Sequence, residues 1–102
     1  FFNIDYVGNR MRWIVSRLPQ STRCFILDAE AVTTIDSTAA AVLAELAEEF
    51  AGRNLRFGVA NLHTQPRELL TRSGLLARIG ADMVFGRLEE VAQVFPTARQ
   101  LP

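Results

Sequence analysis

A short apolar run, Cys24 to Leu27, stops at Asp28. A loop follows, and Asp36-Ser37-Thr38 then opens a stretch of small and apolar residues, Ala39 to Leu43. No other part of the chain constrains the fold as much. The apolar run has strand length and lacks polar alternation, as a strand covered on both faces does, so it is expected to be central in its sheet. The triplet offers carboxylate and hydroxyl groups to the backbone N–H groups that the first turn of a helix leaves free. A helix is therefore expected from about Ser37 to Ala51, burying Ala39, Val42, Leu43, Leu46 and Phe50 opposite Glu45, Glu48 and Glu49, and stopping at Gly52. Leu55 to Ala60 reads as the next strand. Two strands joined through a helix are parallel and cross over right-handedly, which sets an α/β architecture.

Before this unit, Val7, Met11, Ile14, Val15 and Leu18 recur at helical spacing, so Asp5 to Leu18 is expected to be a helix ended by Pro19. After it, Thr64 and Pro66 mark a helix start, and Leu69, Leu70 and Ser73 carry that helix to Gly74. Met83 to Phe85 suits a short strand. Leu88, Val91, Ala92 and Phe95 suit a last amphipathic helix before Pro96, and the closing residues 97–102 are expected to fray. The glycines at 52, 58, 74, 80 and 86 are scattered, so they are assigned to turns and close packing and form no dinucleotide fingerprint.

With 102 residues, 49% of them hydrophobic, the chain fits one packed domain. No apolar run approaches the roughly 20 residues of a membrane span. Formal charge is zero, with 11 basic residues against 11 acidic ones, so nucleic-acid binding has little electrostatic support. Every one of those basic residues is arginine, which removes a P-loop, because that motif sets a lysine on the phosphates. The lone Cys24 lies within the apolar strand and reads as an inert, buried thiol.

The segment Asp28 to Leu46 resembles the signature of STAS domains, the fold shared by anti-sigma factor antagonists and the cytoplasmic tails of SulP-type sulfate and anion transporters. The matching features are the strand ending in Asp28, the pair Asp36-Ser37 and the small residues opening the helix. Leu55-Arg56-Phe57-Gly58-Val59-Ala60 resembles the family's next strand, and residues 70–76 its third-helix signature. Phe1-Phe2-Asn3 is similar to the stretch by which SulP tails enter their first helix, and residues 79–91 to the transporter-type ending. The resemblance implies a STAS fold with a mixed, largely parallel sheet flanked by helices. Residues 1–102 would form one such domain lacking its first strand or strands. It further implies a regulatory and interaction module without catalysis or cofactor, on the cytoplasmic face of the cell membrane. Its implied partners are the transmembrane domain of the same transporter, a regulatory protein and, weakly, a nucleotide; oligomers are compatible with it. The alternative is a free-standing antagonist switched by phosphorylation of Ser37.

Asp28, Asp36, Ser37 and Thr38 are the candidate residues for binding a partner, an anion or a nucleotide. In antagonists the serine matching Ser37 is phosphorylated. A phosphate there would meet backbone N–H groups and the positive end of the helix dipole, against like-charge repulsion from Asp36. The plain reading of Ser37 is a helix cap. Asp28 and Asp36 lack the third ligand that a metal site needs, and Ser37, His63 and Asp28 lack the sharp G-x-S-x-G turn of a serine hydrolase. Arg10, Arg12 and Arg17, with Trp13 among them, form either a solvated helix face or a surface for a partner or anionic headgroups.

Overall fold

The structure, a computed structural model, describes residues 2–99. Helix α1 (Ile4–Ser16) leads into strand β1 (Cys24–Asp28), helix α2 (Ser37–Ala51) and strand β2 (Arg56–Ala60). Helices α3 (Thr64–Arg72) and α4 (Leu75–Ile79) follow, then a 3-10 turn (Ala81–Met83), strand β3 (Val84–Phe85) and helix α5 (Glu89–Val94). The described strands form one sheet in the order β1-β2-β3, with both pairings parallel. Phe1 and residues 100–102, to which the readings of the opening stretch and the closing tail partly applied, lie outside the described residues.

The expectation that β1 is central is corrected. Among the described residues β1 is an outer strand and β2 the central one. Cys24 to Leu27 are half-buried, whereas Phe57 to Ala60 are buried throughout. A continuous apolar run reports cover on both faces of a strand and says nothing about its edges, so the run could not distinguish the two places. Cys24 is accordingly half-buried, and desolvation still pushes its thiol pKa up, away from the reactive thiolate.

The main core lies where α1, α2 and α3 cover one face of the sheet. Leu43, Leu46, Phe50, Phe57, Val59 and Leu70 meet there, with Val42 at its margin. A smaller cluster of Ala60, Phe85 and Val91 lies against Ile26, Leu88 and Phe95. Helix α1 rests closely on α2, because a Cβ on Gly8 would already stand 3.6 Å from Val42 and 3.7 Å from Leu46. Two bonds, of 3.1 and 2.8 Å, join the Arg12 guanidinium to Glu49 across the same helices and hold the Glu49 carboxyl below its usual range. The Arg56 guanidinium is paired in the same way with Asp82, at 2.8 and 2.9 Å.

Helix α2 ends as expected at Gly52, though Gly52 keeps right-handed geometry; the left-handed residue is Asn54, two positions on. The helix expected to reach Gly74 stops at Arg72, with Ser73 as its C-cap, and Gly74, at φ +85°, turns the chain into α4, a helix not expected from the sequence.

Candidate functional site

All the candidate residues stand at the carboxyl ends of the parallel strands, where open α/β sheets commonly present their loops to ligands. Strand β1 delivers Asp28 to that edge. Its Oδ1 accepts from the backbone N–H of Glu30 at 3.1 Å and from the Asn61 amide at 3.0 Å. Asp28 therefore shapes its own turn and ties it to the loop after β2, an arrangement helped by the left-handed backbone of Asn61 at φ 60°.

Two more side chains, one at the end of that second loop and one in the first turn of α3, fasten the first. His63 Nε2 lies 2.6 Å from the carbonyl oxygen of Glu30. The Gln65 amide clips Ile35 twice: its oxygen accepts from the Ile35 N–H at 2.8 Å, and its nitrogen donates to the Ile35 carbonyl at 2.9 Å. The segment between Asp28 and Asp36 is thus braced at both ends and anchored inward by buried Ala29, whose N–H donates to Ala60. Asn61 and Gln65 were not among the sequence candidates. No local signal marks them, because their bonds reach residues 33 and 30 positions away along the chain.

The brace sets down Asp36 in extended geometry as the N-cap of α2, its Oδ1 accepting from the Ala39 N–H at 2.8 Å. This corrects the capping role read for Ser37. Ser37 is the first helical residue, and a side chain there points away from the N–H groups that a cap must reach, so Asp36 takes the role and the dipole favours its charge. Ser37 and Thr38 are exposed. Asp36→Ala is consequently expected to destabilise the chain by about 1 kcal/mol, and Ser37→Ala by no more than a few tenths. Urea denaturation of the two variants checks this, and the reverse order would restore Ser37 as the cap.

Asp28 and Asp36 are engaged separately, with no partner in common. Among the described residues no group of three or more His, Cys, Asp or Glu side chains gathers as metal ligands would. The surface presents a braced loop, a helix start with one anionic cap, and two exposed hydroxyls.

The STAS domain family profile matches residues 1–97, and the chain belongs to that family. It is 31% identical to Probable sulfate transporter 4.2 of Arabidopsis thaliana over 92% of its own length and 15% of that protein's. It is 32% identical to a Probable sulfate transporter of Mycobacterium tuberculosis, over 93% of the chain and 17% of the relative. The chain thus spans less than a fifth of the curated relatives it matches. Among solved structures, it resembles the SulP transporter STAS domain from Vibrio cholerae with TM-score 0.80 at 16% identity, covering 90% of this chain and 72% of that one. It also resembles murine Solute Carrier 26 family member A9, an anion transporter, with TM-score 0.78 at 16% identity, over 96% of this chain and 16% of that one. At such identities these structural likenesses bear on the fold alone.

Proposed function

We propose that this chain is the regulatory and interaction domain of a SulP-type sulfate or other anion transporter. It would lie at the cytoplasmic face of the membrane beside the transmembrane domain of the same protein, and act without catalysis. One observation carries the reading: sulfate transporters align with nearly the whole chain, while the chain aligns with only 15% and 17% of them, as a module does with the proteins that contain it. The braced surface around Asp36, Ser37 and Thr38 is the natural place for a regulatory protein, and Ser37 the place for a phosphate if one is added. An upstream strand of the full-length protein would pair along the free side of β1. The free-standing antagonist is not favoured, because the relatives described above are transporters.

The test is uptake of labelled sulfate by the full-length protein in cells or proteoliposomes. Removing the domain is expected to change uptake by about fivefold or more, within the usual range of coupling between sites. Ser37→Asp, which sets a second carboxylate beside Asp36, is expected to shift regulated uptake in the same direction while leaving the thermal midpoint in place. Equal uptake with and without residues 1–102 would sink the proposal.

A further inference from the structure

We infer that the outward face of α1 is a docking surface for the anionic lipid headgroups of a bilayer. Tyr6, Arg10, Trp13 and Arg17 each stand two positions beyond a buried residue, namely Ile4, Gly8, Met11 and Val15. Two positions are about 200° around a helix, so these four form one stripe directed away from the core. Tyr6 is 69% exposed and Trp13 49%. Both arginines flank the indole: the guanidinium carbon of Arg17 lies 3.9 Å from the ring centroid and that of Arg10 5.2 Å.

Stacking on an aromatic ring sets the stripe apart: among the described residues Arg23, Arg53, Arg67 and Arg72 also lack an ion pair, but only Arg10 and Arg17 lie over an indole. Arg12, on the same helix, is consumed by Glu49, and Arg56, Arg78 and Arg87 also have carboxylates within 4.0 Å. Among the described residues Arg10 and Arg17 form no ion pair; Arg17 donates only to the Ser16 hydroxyl, at 3.2 Å. Stacking on the indole holds each guanidinium in place and leaves N–H groups at its edge, the fork that matches phosphate oxygens. The sole acid of the helix is Asp5.

These side chains suit a lipid surface. Trp and Tyr combine an apolar body with a polar tip and settle at the level of headgroups, where arginine reaches the phosphates. The face is a helix side, and none of the four residues lines the groove beside Arg56 and Arg78 or the one beside Leu27 and Leu70, so a flat layer fits it better than an inserted peptide. With zero net charge the chain has no general attraction for anions, and any such binding must come from this local patch. The inference rests on the transporter reading only in that it places a bilayer within reach.

Trp13 is the only tryptophan, so its fluorescence reports directly on the stripe. Mixed with phosphatidylglycerol-rich vesicles at low salt, the 102-residue chain is expected to sediment with the lipid, shift its emission to the blue and be quenched by brominated acyl chains. In 1 M salt, where the Debye length is about 3 Å, the binding should be lost, and vesicles of phosphatidylcholine alone should not bind. Arg10→Gln with Arg17→Gln is expected to weaken partitioning about 25-fold, roughly fivefold for each arginine. The charge-matched pair Arg67→Gln with Arg72→Gln should bind as the parent does, circular dichroism confirming the fold of both. No sedimentation with phosphatidylglycerol, or equal weakening by the two pairs, would overturn the inference and leave a solvated stack. Because the assay involves no transport, its failure leaves the transporter reading standing, and that reading falls only by the uptake test.

Discussion

Gly58→Ala is expected to lower the thermal midpoint by about 5–10 °C, although alanine is intrinsically the better strand residue. Replacing a strand glycine usually gains roughly 0.5–1 kcal/mol through the unfolded chain. Here a Cβ would stand 2.7 Å from the Ile26 side chain, 2.7 Å from the Met83 carbonyl oxygen and 3.1 Å from the end of Met83. Ile26 can turn aside and Met83 is flexible at its tip, but the carbonyl belongs to the backbone entering β3. Overpacking against a fixed group costs about 1–3 kcal/mol and sometimes more, so the clash outweighs the entropic gain. For a domain of this size each kcal/mol moves the midpoint by about 4–8 °C. A thermal scan of Gly58→Ala that matched or exceeded the parent would show that β3 shifts freely and that the close approach has no structural consequence.

Leu46→Ala should destabilise the chain by about 3 to 4 kcal/mol in urea. Leu46 is 0% exposed in the middle of α2, inside the layer where α1 meets α2 over the sheet. Truncating a buried leucine loses its transfer energy and leaves a cavity, together about 2–5 kcal/mol depending on how far the site collapses. Collapse is restricted here, because Gly8 already brings α1 close to this side chain and the Arg12–Glu49 pair holds the helices at their present separation. The solvent-facing change Glu45→Ala on the same helix is expected within about 0.5 kcal/mol of the parent. If Leu46→Ala also stayed within 1 kcal/mol, α1 would have to be far more adaptable than its packing implies.

The elements with strong local signals were legible in the sequence. Helix α2 was written in its apolar spacing and in Asp36, and its observed span is Ser37–Ala51, as expected. Strand β2 followed from the strand-like alternation of Leu55 to Ala60, and Pro66 with Thr64 marked α3. What the sequence did not carry was placement relative to other strands. Cover on two faces and position within the sheet leave the same apolar run, so β1 was assigned the centre that β2 holds. Helix α4 has only five residues and begins after Gly74, too short to show a period of its own. At the candidate site, the importance of Asp28 and Asp36 was readable from their positions at a strand end and a helix start. The roles were divided otherwise than composition suggested, because capping depends on which residue precedes the first helical one by a single position. Asn61 and Gln65 escaped notice because their bonds cross 33 and 30 residues of chain, and nothing local records such a partner.

The fastening of the loop before α2 has a consequence for the rate and cost of recognition. A segment that is loose in the free protein loses conformational freedom when a partner orders it, and that loss subtracts from affinity. Between Asp28 and Asp36 much of that freedom is already spent on Asn61, His63 and Gln65 at the moment the domain folds. A partner arriving at Ser37 would therefore meet a surface close to its final shape, engage it nearly as a rigid body, and gain affinity through slower release, with little ordering required of the loop.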